Sequence, residues 1–387
     1  MKYRKFGQMD WLASCLGFGC MRLPILGNDY GTIDEPEAIA MLRHAVEQGI
    51  NYFDTAYVYH SGQSEALLGR ALRDGYRDRV KIATKLPSWL VQEHADFDRF
   101  LDEQRARLET ECIDFYLLHG LDQERWIRLR NLGVLEWGAR ALAGGRIAHL
   151  GFSFHDDFAV FQQIVDAYEW TLCQIQHNYM DIEAQAGTRG LRYAASKGLA
   201  VIIMGPLLGG SLVDPPPAIQ ALWDSAPAGR SPADWGLQWL WNQPEPSVVL
   251  SGMSTMEQVD DNLRSADAAA VHSLSQDDLN LVARVGEKYR EMCPIPCTSC
   301  GYCMPCPSGV DIPGNLRIYN QVVMYDKAGL GRNWWYQRQL SDSSRAGACT
   351  DCDRCEELCP QSIPVSDWMT RIHAMLAQGA DHTREPG

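Results

Sequence analysis

The chain has 387 residues, 46% of them hydrophobic and 22% charged, enough for one large domain plus a smaller one. A formal net charge of −14 argues against nucleic acid and against an anionic membrane face, because both demand a basic surface. No run reaches the roughly 18–20 uninterrupted apolar residues of a spanning helix.

The N-terminus carries Lys2, Arg4 and Lys5, then an apolar run from Trp11, and Leu12–Cys15 has the look of a lipoprotein cleavage site. A signal peptide needs about 7–15 apolar residues before its cleavage point. Asp10 leaves only Trp11 to Ser14, so this stretch is assigned to the fold.

The first strand candidate is Cys15–Cys20. Ala38, Met41, Leu42, Ala45 and Val46 then share one helical face, and Ile50–Asp54 follows as the next strand. Further short apolar runs lie at Val80–Thr84, Ile113–His119, Ile147–Phe152, Leu172–Gln176, Leu199–Met204 and Ser247–Ser251, separated by helical stretches with polar faces. Strands alternating with helices imply parallel pairing through crossovers. About eight such units predict an α/β fold of the closed (β/α)8 barrel type. An open sheet should show a GxGxxG turn after its first strand, and Leu16-Gly17-Phe18-Gly19 is too short for one.

The 207–232 loop, with Gly209, Gly210, Pro215–Pro217 and Gly229, reads as a lid. Leu274–Arg290 reads as a closing helix. Cysteine and proline density rises after it, so a barrel domain over 1–290 and a cluster domain over 291–387 are expected.

Of thirteen cysteines, Cys15, Cys20, Cys112, Cys173 and Cys293 are scattered, while the other eight crowd between Cys297 and Cys359. Such runs, in a chain without an export signal, read as metal ligation in a reducing compartment, which predicts a cytoplasmic protein. Cys297, Cys300, Cys303 and Cys306 form CTSCGYCMPCP, and Cys349, Cys352, Cys355 and Cys359 form CTDCDRCEELCP. The second is the bacterial ferredoxin spacing C-x2-C-x2-C-x3-C-P, and the first is one residue shorter before its last cysteine. In two-cluster ferredoxins the fourth cysteine of each run ligates the other cluster. Transferred here, Cys297, Cys300, Cys303 and Cys359 hold one [4Fe–4S] cluster, and Cys349, Cys352, Cys355 and Cys306 the other. Paired zinc sites are the alternative, but zinc has no use for a third cysteine at the same step. Cys293 is a competing ligand. Trp334, Trp335 and Tyr336 are expected to pack around the clusters.

The barrel carries its own set. Asp54 ends one strand, Tyr59 follows five residues on, Lys85 lies at the next strand end in KIATKLP, and His119 at the next in FYLLHG. Strand ends are the rim on which barrel catalysis gathers. With the stretch FDTAYVYHSGQSEALLGRAL over Phe53–Leu72, these residues resemble the aldo/keto reductase superfamily, and in particular its subgroup with a C-terminal ferredoxin-type domain. The likeness runs along nearly the whole chain.

The resemblance implies carbonyl reduction, or alcohol oxidation in reverse, with NADP(H) or NAD(H). Tyr59 becomes the proton donor, Lys85 lowers its pKa, Asp54 pairs with Lys85 and His119 orients the carbonyl. It also implies cofactor contacts at Gly19, Cys20 and Met21, then Ser153 and Gln174, then Met204, Gly205 and Leu207. The last group is Ser251, Gly252, Ser254, Gln258, Asp261 and Asn262. Phe154 stands where an asparagine is common, and Met204 where a tyrosine often stacks on the nicotinamide. Gly252 and Gln258 replace the lysine and arginine that often bind the 2′-phosphate, so the choice between NAD and NADP stays open. Trp89, His155, His177 and the 207–232 loop are expected to line a pocket for a small-molecule substrate. Two other readings compete: an electron-transfer protein whose barrel docks a redox partner, and a binding protein on a retired barrel.

Overall fold

The structure, a computed structural model, describes residues 1–27, 29–227, 229–324, 336 and 340–377. The chain divides into two compact units, Met1–Pro206 with Ala233–Gln276, and Leu207–Pro232 with Asp277–Gly387. The expected closing helix, observed as Gln276–Met292, and the 207–232 loop therefore fall with the second unit in this division.

The first unit opens with an antiparallel hairpin, β1 (Tyr3–Lys5) and β2 (Leu12–Ser14), which periodicity did not announce. Eight parallel strands then close into a barrel: β3 (Leu16–Gly19), β4 (Tyr52–Asp54), β5 (Lys81–Leu86), β6 (Ile113–Leu121), β7 (Ile147–Phe154), β8 (Leu172–Gln176), β9 (Ala200–Met204) and β10 (Pro246–Ser251). β10 pairs with both β3 and β9, which completes the ring. The expected strands hold, with one informative difference. β5 continues past Thr84 because Lys85 and Leu86 stay paired with Leu117 and Leu118 of the longer β6.

Strand parity sorts the residues between two cores. Tyr52, Ala83, Phe115, Leu117, Leu172, Ala200, Ile202, Val248 and Leu250 fill the barrel interior, together with Phe6 and Ala13 of the N-terminal segment. The Phe6 ring packs, tilted, 4.7 Å from Phe115, so the hairpin plugs the end opposite the strands' C-termini. Gly17 has no room for a side chain there: a Cβ would lie 2.7 Å from Val248 and 2.8 Å from Leu250. The alternate residues, such as Phe53, Ile82, Tyr116 and Leu118, face the surrounding helices. Helix Glu35–Glu47 is typical of these. Asp34 caps it by accepting the Glu37 N–H, and Ala38, Met41, Leu42, Ala45 and Val46 form its buried stripe, as periodicity predicted.

The second unit is mainly helical, with Pro217–Asp224 (inside the stretch expected to be a loop), Gln276–Met292, Ile312–Met324 and Val365–Ile372 as its longer helices among the described residues. Its core joins Ile295, Val310, Ile312, Leu316, Ile363 and Met369, and six of the eight clustered cysteines pack against it. Tyr336 is buried in that core. Trp334 and Trp335 lie outside the described residues. Among the described residues no helix is long and apolar enough to cross a membrane.

Candidate functional site

The inward parity of the core carries straight on into the chemistry. Asp54 sits two residues beyond Tyr52, Lys85 two beyond Ala83, and His119 two beyond Leu117. Each therefore points into the same barrel, one layer above the apolar filling. Tyr59 alone comes from a turn, Tyr59–Gly62, which follows β4.

The Lys85 ammonium donates to Asp54 Oδ1 at 2.6 Å, to the Thr55 carbonyl at 2.8 Å and to the Tyr59 hydroxyl oxygen at 3.3 Å. All three of its donors are thereby committed. Asp54, Lys85 and His119 are at most 2% exposed and Tyr59 is 7% exposed, so the phenol is the most accessible member of the set. The His119 ring stands edge-on to Tyr59 at 6.1 Å and lies 5.0 Å from the Trp89 ring. Burial pushes the Asp54 carboxyl up, opposed by the Lys85 charge and by hydrogen bonds from Lys85 and Gln174. Burial, reinforced by the Lys85 and Arg125 cations, holds His119 far below the ordinary histidine range. Its imidazole is neutral, able to hydrogen-bond without carrying charge. Tyr57 turns away, its hydroxyl on Glu103 at 2.7 Å.

The residues expected at a nicotinamide fall along the same rim. Gly19 ends β3, and Cys20 and Met21 begin the turn Cys20–Arg22. Ser153 and Gln174 are paired neighbours across β7 and β8, and Met204 pairs with Gln176 on β9. Ser153 Oγ accepts the Gly120 N–H at 2.7 Å, which leaves its own O–H as a donor. Gln174 donates from Nε2 to Met204 Sδ at 3.7 Å, while its buried Oε1 has no hydrogen-bond partner among the described residues. A carboxamide needs one acceptor for its N–H and one donor for its oxygen, and these two side chains are of those kinds. Gly205 follows with a left-handed φ of 63°. Leu207 belongs to the other unit.

At the next strand end, Ser251 accepts from Asn262 Nδ2 at 2.9 Å. Ser254 and Gln258 are largely taken up by the start of helix Met256–Asp267: Ser254 donates its N–H to Gln258 Oε1 at 2.8 Å, and Thr255 caps the Gln258 N–H. Asp261 pairs with Arg264. Gly252 is covered by the stem of Arg22, whose carbons would lie 3.1–3.2 Å from any Cβ at that position. Ser254 Oγ donates to the Arg22 carbonyl at 2.8 Å, so the turn after β3 is fastened to the turn after β10.

Of the expected pocket residues, His155 is half-buried with Nδ1 3.2 Å from Gln185 Oε1, and the buried His177 ring lies 5.1 Å from Trp239. In the second unit the thiols gather as two groups. Cys297, Cys300, Cys303 and Cys359 line one hollow, and Cys306, Cys349, Cys352 and Cys355, with Cys303 at its edge, line another. The fourth cysteine of each run thus lies with the first three of the other. Two groups of thiols, four from the two runs in each, are a donor set that fits iron–sulfur clusters.

A model of the aldo/keto reductase family matches residues 15–287. The chain belongs to that family. A model of a 4Fe-4S dicluster domain matches residues 296–363, so this aldo/keto reductase carries a ferredoxin-type C-terminal domain. "Probable aldo-keto reductase 1" of Glycine max is 32% identical over 157 residues, 38% of this chain and 44% of that one. The chain thus spans under half the length of that relative. The uncharacterized oxidoreductase YqkF of Bacillus subtilis is 28% identical over 293 residues, 69% of this chain and 92% of that one. The crystal structure of an aldo-keto reductase from Klebsiella pneumoniae in complex with NADPH shares the fold at TM-score 0.60 and 24% identity, over 73% of this chain and 94% of that one.

Three supports of this reductase escaped the sequence reading. Behind Lys85, Gln104 donates to the Lys85 carbonyl at 3.1 Å and to the fully buried Glu65, which also accepts from Thr84 at 2.6 Å and pairs with Arg107 at 3.2 Å. A glutamine on the apolar stripe of Phe97, Phe100 and Leu101 was the available signal. In the second unit one helix holds the entry to both cysteine runs. Asn320 exchanges two hydrogen bonds with Ile295, at 2.6 and 3.2 Å, and Asn315 Oδ1 accepts the Ala346 N–H at 2.8 Å. The third, Arg22 over Gly252, had no signal along the chain.

Proposed function

We propose that this aldo/keto reductase reduces a small carbonyl compound, or oxidises the corresponding alcohol, with a nicotinamide dinucleotide, and holds two [4Fe–4S] clusters. The barrel chemistry belongs to residues 1–290 and the clusters to 291–387, in the cytoplasm. One observation carries the reading: an ammonium stands 3.3 Å from the Tyr59 oxygen at the barrel rim.

A bound nicotinamide supplies or accepts the hydride. Tyr59 gives its proton to the oxygen on which negative charge develops. A free phenol, with a pKa of about 10, is a poor donor at neutral pH. The Lys85 charge favours the phenolate and so makes the proton easier to give. Asp54 and the Thr55 carbonyl keep that ammonium aimed, and neutral His119 is the second hydrogen-bonding group for the substrate oxygen. Gly19, Cys20 and Met21 approach the pyrophosphate, Ser153 and Gln174 hold the carboxamide, and Met204 covers the ring. The clusters bind through Cys297, Cys300, Cys303 and Cys359, and through Cys306, Cys349, Cys352 and Cys355.

The clusters raise an electron-counting question. Hydride moves two electrons together, whereas a cluster takes one. An anaerobic titration with NADH and NADPH separately, reading cofactor binding and visible cluster absorption together, tests both parts. Binding of one nicotinamide and turnover with unchanged absorption assign the clusters to structure, while bleaching on substrate addition assigns them to electron relay. Tyr59→Phe should lose about 10²–10⁴ in kcat. Carbonyl reduction that survives this change, or a protein that binds neither nicotinamide, sinks the proposal.

A further inference from the structure

The turn that carries Tyr59 is built in an unfavourable way. His60, Ser61 and Gly62 have φ of 50°, 52° and 87°, three left-handed residues in succession, of which only the last is a glycine. A side chain in that region crowds its own backbone and needs outside support. His60 has such support. It is 1% exposed, and its ring lies 4.5 Å from the Tyr30 ring in a stacked arrangement. Nε2 accepts the Leu23 N–H at 3.1 Å, and Nδ1 donates to the Tyr30 carbonyl at 2.8 Å. Only a neutral imidazole can make both bonds, because an Nε2–H would face another N–H.

A second tie runs in parallel. Ser64 Oγ donates to the Cys20 carbonyl at 3.0 Å and lies 2.8 Å from Thr55 Oγ1. Thr55 is the residue whose carbonyl holds Lys85. Tyr30 closes the arrangement by donating its hydroxyl to the Met21 carbonyl at 3.2 Å. The turn after β3 and the turn after β4 are therefore stitched together on either side of Tyr59.

We infer that His60 is a positioning residue: it clamps the Tyr59 turn to Cys20–Leu23 and Tyr30, so that seating a nicotinamide on the β3 turn also sets the phenol. This rests on the nicotinamide reading above. The test uses the full-length, anaerobically purified protein and hydrogen exchange with and without NADPH or NADH. His60→Gly suits the left-handed backbone and removes only the ring.

In the wild type the bound nicotinamide should slow exchange over both Cys20–Leu23 and Thr55–Glu65. In His60→Gly the Kd should rise and kcat fall, each about tenfold, the scale of one lost hydrogen bond. Protection should persist over the first segment and fade over the second. His60→Asn, which also tolerates positive φ and keeps one polar arm, should lie between, and it stands in if the glycine variant does not fold. Wild-type Kd and full protection of Thr55–Glu65 in the folded variants overturn the clamp and leave the nicotinamide reading intact. A wild-type protein that binds neither nicotinamide overturns both.

Discussion

The two chemical centres of this protein are assembled in opposite ways. In the barrel, Asp54, Tyr59, Lys85 and His119 come from three strand ends and a turn and are almost wholly buried, and Lys85 already bonds both Asp54 and Tyr59. In the second unit the thiols lie two or three residues apart along two short loops, largely half-buried, with Cys352 exposed. The barrel set is placed by strand register and packing, at the expense of burying an ion pair. The thiol set is placed by local spacing and by a small apolar core, so a bound metal must supply much of its order. Rigidity is therefore expected from packing in one centre and from a bound cluster in the other.

The sharpest way to test that contrast is to remove the metal. Stripping iron and sulfide with a chelator under oxidation, or replacing Cys303 by serine, should abolish exchange protection over Ile295–Met324 and Leu340–Leu376 while the barrel strands stay protected. Equal loss in both regions would show that the barrel leans on the clusters. Next in size, Lys85→Met leaves Asp54 buried without its cation and should cost about 3–5 kcal/mol in denaturant unfolding of the barrel. A smaller cost would mean that water reaches the site.

Acid should act more gently, and on two histidines of the barrel. Burial lowers His155 and His177 to about 4, with Gln185 opposing the shift at His155 and Gln243 at His177. The unfolded chain takes up protons below about pH 6.5 while these folded rings remain neutral. Barrel stability should therefore fall as pH drops from about 6.5 toward 4, by up to roughly 3 kcal/mol per histidine. The barrel's thermal midpoint across that range, compared with His155→Asn, measures it. A variant with an unflattened slope would remove His155 from the account.

Much of the barrel was legible because its signals are local. Short apolar runs with helical stretches between them announce eight strands, and the residue two steps beyond an inward core position is inward as well. Lys85 and His119 could be set beside Asp54 and Tyr59 because each stands at the end of a strand candidate. The two cysteine runs were legible through spacing, and their grouping by transfer from two-cluster ferredoxins. The N-terminal hairpin was not, since Phe6 and Trp11 show no strand periodicity and gain their place only by filling the barrel's end. The Gln104–Glu65 support was hidden for a similar reason: a buried polar residue has meaning only with its partners in view. Ser254 and Gln258 looked like ligand contacts in sequence, yet their hydrogen bonds mostly serve the start of a helix and the Arg22 turn.

By itself the chain's pattern of residues determined the alternation of strands and helices and the two sets of cysteines. These depend on period and spacing, which are one-dimensional properties. Only the folded molecule decided that all three Lys85 donors are taken, that Arg22 occupies the space above Gly252, and that the His60 ring, on a left-handed backbone, joins two turns. Such contacts link positions tens to hundreds of residues apart. Distance and direction between them exist only once the ring of strands has closed.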